Sequence, residues 1–170
     1  WMKLVNDQAQ NLEIAGQKVI GAVQFKTGRY EEDNYPEFPD EGIRFFFEDA
    51  NLKADDPFTK SKNYITIRPS GTSETLRFYT QIFSKVSGQG EEIAKQKYEN
   101  YHLAEVISLE AQKQLLKEAG LEKYIPMVED QMKVVEARHE KIVASSALTP
   151  AQFKNDLTEL VEYMKMHYYG

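Results

Sequence analysis

Residues 64–80 have the sequence Tyr64-Ile-Thr-Ile-Arg-Pro-Ser-Gly-Thr-Ser-Glu-Thr-Leu-Arg-Phe-Tyr-Thr80, and this stretch decides the fold. Its first half alternates isoleucines with polar side chains, and in its second half Leu76 and Phe78 alternate with Arg77 and Tyr79. Apolar residues at every second position are typical of a strand with one buried face. The stretch therefore predicts two strands joined by a short loop.

The loop Arg68-Pro-Ser-Gly-Thr-Ser73 is a candidate anion site on its chemistry alone. Pro69 fixes one backbone angle, Gly71 is free to take a positive φ, and small hydroxyl residues let backbone N–H groups converge. The guanidinium of Arg68 adds a planar fork of donors that suits phosphate oxygens. The residues by themselves leave two alternatives open, a phosphate-binding loop and an ordinary hairpin turn.

Composition limits the classes of protein. The chain has 170 residues, 41% of them hydrophobic and 28% charged, which is enough for one globular domain with an appendage. A net charge of −6 gives no attraction to nucleic acid or to an anionic membrane. The absence of cysteine excludes disulfides and cysteine-ligated zinc and fits a reducing compartment, so we expect a cytoplasmic location. No apolar run approaches the roughly 20 residues of a membrane span, and no signal peptide is apparent.

Two further segments, Val19–Phe25 and Ile43–Glu48, are rich in β-branched and aromatic residues and are predicted strands. Short connections without a helical crossover indicate a four-stranded antiparallel sheet. A helix is predicted over Glu91–Ala119, with Gly120 as the residue that ends it. Its buried stripe is expected at Ala104, Ile107, Ala111 and Leu115, at spacings of three and four.

The last 50 residues are predicted to be helical and to carry no chemistry. A second helical region covers about 121–147, and Pro126 is tolerable only in its first turn. A capping box at Thr149 starts a final helix over 150–166. We expect these helices to form a hairpin extension, 121–170, packed on a domain of residues 1–120 or on another subunit. The expected core contacts of the second helical region are Ile125, Met132, Val135 and Ile142.

Other kinds of site are poorly supported. The three histidines, His102, His139 and His167, show no ligand pair at helical-turn spacing, so packing or surface roles are favoured over a metal site. No Gly-x-Ser-x-Gly elbow or dinucleotide fingerprint is present. The Phe45–Phe47 run is expected to supply strand core and one exposed edge.

The hairpin resembles a known family. Ile67-Arg-Pro-Ser-Gly-Thr72, followed by Leu76-Arg-Phe-Tyr79, is similar to the phosphate-binding loop in the C-terminal domain of the α-D-phosphohexomutases. These include phosphoglucomutases, phosphomannomutases and the phosphoglucosamine and phosphoacetylglucosamine mutases. The segment from Gly42 to Asp49 looks like the strand that precedes this loop in the family. The resemblance covers roughly residues 1–120.

The resemblance implies an α+β fold like that of the TATA-binding protein, with a four-stranded antiparallel sheet backed by helices. It also implies how the loop works, by holding the non-reacting phosphate of a phosphosugar. The family often continues the loop with Glu-Pro-Lys, where this chain has Ser73-Glu74-Thr75, so contacts of those charged residues are not carried over. The implied phosphate-binding residues are Arg68, Pro69, Ser70, Gly71, Thr72 and Arg77.

The family members are isomerases, intramolecular phosphotransferases of carbohydrate metabolism that interconvert hexose 1-phosphate and 6-phosphate through a bisphosphorylated intermediate. The phosphoserine loop, the Mg²⁺ loop and the sugar-reading loop belong to three upstream domains, and none occurs in this chain. Because the chain also begins with Trp1, we expect a C-terminal fragment that is inactive alone, holds no catalytic residue and leaves Mg²⁺ to the upstream domains. The alternative is a stand-alone, non-enzymatic domain that binds a phosphate ligand or a protein partner. Without the sugar loop, the hexose is not specified.

Overall fold

The computed structural model describes residues 12–26, 40–70 and 75–145, which form one antiparallel sheet and two α-helices. This arrangement confirms the predicted α+β class. The strands are β1 (Glu13–Ile14), β2 (Gln17–Lys26), β3 (Asp40–Phe47), β4 (Tyr64–Pro69) and β5 (Leu76–Gln81), and the helices are α1 (Glu91–Glu118) and α2 (Ile125–Ser145).

The five strands are hydrogen-bonded in chain order, and every neighbouring pair is antiparallel. The four predicted strands correspond to β2 to β5, and the structure adds the two-residue β1. Ala15 and Gly16 turn β1 back onto β2 with positive φ angles of 49° and 73°. Gly16 takes such an angle without steric cost, and the strand pattern breaks at this turn.

The main core lies between one face of the sheet and α1. Phe45 and Phe47 of β3 and Ile65 of β4 are fully buried there against Ile107 and Ala111 of α1. Period-two alternation in the strands and spacings of three and four in the helix place these side chains on facing surfaces. The predicted stripe of α1 is confirmed at its two central positions, while its outer members are only partly buried.

The expectation that one phenylalanine of β3 would be exposed is wrong. Phe46 points to the sheet face away from α1, yet it is only 1% exposed. A short 3₁₀ turn, Phe58–Lys60, crosses this face and sets the Phe58 ring 5.6 Å from the Phe46 ring, edge to face. Gly21 makes room for it, because a Cβ there would lie 2.5 Å from a Phe58 ring carbon.

The junction between the helices follows the sequence signals. Gly120 has a φ of 69°, and the N–H of Leu121 donates to the carbonyl of Leu116 at 2.8 Å, which satisfies a terminal acceptor of α1. Pro126 is the second residue of α2, as predicted.

Helix α2 then packs on α1. Of its predicted core contacts, Val135 (6% exposed) and Ile142 (7%) are buried, and Val128, at 2%, was not anticipated. Leu109 of α1 faces Val128 and Val135. The predicted final helix, 150–166, lies outside the described residues, and the domain boundary near residue 120 stays a prediction.

No helix within the described parts of the chain combines the length and the apolar character that crossing a membrane requires.

Candidate anion-binding site

The end of β4 that carries the predicted site depends on a glycine of β3. Gly42 has a φ of 148°, in the region that side chains rarely adopt. A Cβ at this position would lie 2.6 Å from the carbonyl oxygen of Ile67 and 2.7 Å from the Cβ of Arg68. Only glycine therefore lets β3 run this close to β4 beside Arg68.

Two arginines lie directly opposite each other across β4 and β5. The register pairs Arg68 with Arg77, and both side chains are exposed. Directly paired residues of antiparallel strands share a face of the sheet, with Cβ atoms roughly 4.5–5.5 Å apart. The pair therefore places two positive charges side by side at one end of the hairpin, where they repel each other.

The loop opens next to this arginine pair. Pro69 pairs with Leu76 as the last step of the ladder, and the N–H of Ser70 donates to the carbonyl of Thr75 at 2.8 Å. This bond closes the base of the loop. Of the six predicted phosphate-binding residues, Arg68, Pro69, Ser70 and Arg77 are brought together here, and Gly71 and Thr72 lie outside the described residues.

A third arginine, which was not predicted from the sequence, extends the basic surface along the same face. Arg44 of β3 pairs with Thr66 of β4, and its Nε donates to the Thr66 Oγ1 at 2.7 Å. Its guanidinium carbon lies 4.0 Å from the centre of the Tyr64 ring. On the other side of Thr66 stands Tyr79, which is 47% exposed. Alternation in β3 could have placed Arg44 away from the core, but its neighbours depend on strand pairing.

The described part of the hairpin offers groups that can bind an anion. Guanidinium groups donate paired hydrogen bonds to phosphate oxygens, and a serine hydroxyl and backbone N–H groups add further donors. The described hairpin residues, 64–70 and 75–81, include no histidine or acidic side chain that could move a proton. The hairpin is therefore suited to hold and orient an anion.

Among the described residues, no cluster of three or more histidine, aspartate or glutamate side chains is arranged to hold a metal ion. Comparisons with models of protein families, with curated proteins and with solved structures found no match to the chain. The hairpin motif and the geometry of its arginines therefore carry the functional inference.

Proposed function

We propose that this chain is the phosphate-binding C-terminal domain of a cytoplasmic phosphohexomutase, a phosphoglucomutase or phosphomannomutase. The observation that carries the proposal is the Arg68–Arg77 pair at the mouth of the Arg-Pro-Ser-Gly-Thr loop. Both arginines belong to the motif that resembles the family. Their direct opposition across β4 and β5 is consistent with the proposal.

A bound phosphate would offset the repulsion between Arg68 and Arg77. Two like charges that face each other across strands cost about 0.2–1 kcal/mol, so the pair weakens the empty protein. A phosphate ester with nearly two negative charges turns this repulsion into attraction to both guanidinium groups. Each hydrogen bond to a charged group contributes about 1.5–3 kcal/mol.

The proposed role fits the chemistry of the mutase reaction. The bisphosphorylated intermediate must turn over between two half-reactions, so the anchor has to accept either phosphate. Arginines that recognise the charge and the shape of the phosphate group, and make few contacts to the sugar, meet this need. Closing the hairpin over the substrate also excludes water from the reacting centre.

In this proposed arrangement, the phosphoryl transfer takes place in domains outside this chain. Those domains also bind the Mg²⁺ that neutralises charge during such transfers. The chain alone is then a binding domain without activity. Its proposed fold is the TATA-binding-protein-like fold of the family's C-terminal domain. The run of consecutive antiparallel strands, followed by α1 on one face, supports that assignment. Helix α2 belongs to the proposed extension.

Titration of the chain with glucose 1-phosphate, followed through backbone amide signals in NMR spectra, tests the binding role. We expect the amides of Ser70, Thr75 and Arg77 to shift, and Arg68→Ala to weaken binding at least tenfold. Lys85→Ala is the matched control, because it removes one exposed positive charge outside the hairpin. Shifts confined to other regions, or equal binding by Arg68→Ala and the control, would refute the site.

Two further measurements separate a mutase domain from a stand-alone phosphate-binding domain. Glucose 1-phosphate and glucose 6-phosphate should bind within a few-fold of each other, since the anchor must take either end. A strong preference for a phosphopeptide over both sugars would contradict the mutase assignment.

The native reading frame is the second measurement. It should continue upstream through a serine loop and an acidic magnesium loop, and a frame that starts near Met2 would contradict the mutase assignment.

A further inference from the structure

Two histidines meet in the contact between the helices. His102 of α1 and His139 of α2 stack with ring centres 3.8 Å apart and planes 7° from parallel. Their side chains are only 14% and 22% exposed. Tyr98, which is 4% exposed, also stacks on His139, with ring centres 5.7 Å apart. Two titratable rings thus share one nearly closed site between two helices.

Each histidine faces a carboxylate of the opposite helix. The Nε2 of His102 lies 3.7 Å from an oxygen of Glu136, and the Nε2 of His139 lies 3.8 Å from an oxygen of Glu99. The crossing arises because each helix carries a Glu-x-x-His sequence, Glu99 to His102 and Glu136 to His139, which sets both side chains on one helical face. A proton taken up by either ring therefore finds a negative charge across the interface.

The other charged groups near the pair are already engaged. Arg138 of α2 forms an ion pair with Glu105 of α1 and lies near the Tyr98 hydroxyl. Burial raises the pKa of Glu105 against the opposing pull of Arg138, and the Tyr101 hydroxyl also bonds this carboxylate. Burial likewise raises the pKa of Tyr98.

The two rings also have unused polar atoms. Both Nδ1 atoms, on His102 and His139, are buried without a hydrogen-bond partner. Burial lowers the pKa of His102, and the neighbouring His139 lowers it further, while Glu136 and Glu99 act in the opposite direction. The interface therefore favours the unprotonated form of His102.

We propose that the His102–His139 pair is a proton-binding site that holds α2 against α1 while it carries at most one proton, and releases α2 when a second proton binds. One imidazolium between Glu99 and Glu136 is compensated. Two imidazolium rings would each face a carboxylate, but they would also repel each other across the 3.8 Å between their centres, and the nearby Arg138 guanidinium adds to the repulsion.

The direction of the effect follows from proton counting. A histidine whose pKa is lower in the packed state than in the released state takes up protons on release. Acid therefore favours release, and the contact is stable above the ordinary histidine pKa. Helix α2 is then an acid-labile element whose attachment to α1 depends on pH.

The distance between the helices tests the proposal directly. The chain contains no cysteine, so Lys97→Cys and Lys141→Cys, both at exposed positions, place two spin labels uniquely on α1 and α2. Pulsed electron spin resonance should give one narrow distance at about pH 7.5 and a broad, longer distribution at about pH 4.5. In the same chain with His139→Gln, which cannot take the second proton, the midpoint of opening should move down by at least one pH unit.

The opposite change provides a second variant. Glu136→Gln removes the carboxylate that faces His102, so the opening midpoint should move up. A narrow distance that persists after NMR shows both rings protonated would overturn the proposal. So would identical opening curves in the parent chain, His139→Gln and Glu136→Gln, because the acid response would then come from other groups.

Discussion

Replacing Arg77 by glutamine should change stability and binding in opposite directions. The substitution keeps a long polar side chain on β5 and removes one of two like charges that face each other across the strands. In phosphate-free buffer the relieved repulsion should raise the free energy of unfolding by about 0.2–1 kcal/mol. For a chain of this size that corresponds to a melting temperature higher by about 0.5–4 °C.

Saturation with ligand should reverse this order. At a concentration one hundred times the dissociation constant, the parent chain gains about 2.7 kcal/mol from binding. A variant that binds tenfold to a hundredfold more weakly gains only about 0.4–1.4 kcal/mol at the same concentration. The parent chain is then the more stable of the two, although it is the less stable without ligand.

Urea denaturation with and without glucose 6-phosphate measures both free energies, and Lys85→Gln supplies a control with the same charge change at an exposed position outside the hairpin. The control should shift neither value. Roughly 1 M salt should shrink the difference without ligand, because exposed charges are then screened within about 3 Å. A variant that is less stable than its parent without ligand, or that keeps the full gain from ligand, would refute the reasoning.

Three further substitutions test the supporting structure. Gly42→Ala should lower the free energy of unfolding by about 1–3 kcal/mol, because alanine strains the positive φ, and should weaken phosphate binding through Arg68; unchanged urea unfolding and binding would contradict this role. Phe46→Ala should cost about 3–5 kcal/mol in the same assay, whereas a loss below about 1 kcal/mol is what an exposed ring would give. Burial works to raise the pKa of Asp49, but backbone N–H bonds outweigh it and hold that pKa below its ordinary value. Stability from this carboxylate is present above its ordinary pKa and lost as the pH falls through the depressed one, so Asp49→Asn should flatten the acid limb of a stability–pH profile; an unaltered acid limb would count against it.

The features that were predictable from the sequence are those with a local cause. Alternation around the loop places Phe78 toward the core and Arg77 away from it, and a two-stranded hairpin then brings Arg77 opposite Arg68. Gly120 ends α1 because the last turn needs a residue with positive φ. Such effects act within a few residues, so one sequence suffices to find them.

The features that were missed depend on which elements meet. Phe46 is covered by Phe58, a contact between β3 and a turn that follows it in the chain. Arg44 joins the basic surface only because β3 pairs with β4. The histidine pair had a local signal, a Glu-x-x-His sequence on each helix, but its meaning required the knowledge that α1 and α2 lie side by side.

The most direct test of the proposed phosphate anchor is the response of the arginine side chains themselves. NMR signals of the Nε–H groups of Arg68 and Arg77 should both shift during titration with glucose 1-phosphate, and again, to a similar extent, with glucose 6-phosphate. In each titration, the arginine signals and the amide signal of Ser70 should give the same dissociation constant for that sugar phosphate. Side-chain signals of Arg68 and Arg77 that stay in place while either sugar phosphate binds the chain would contradict the account.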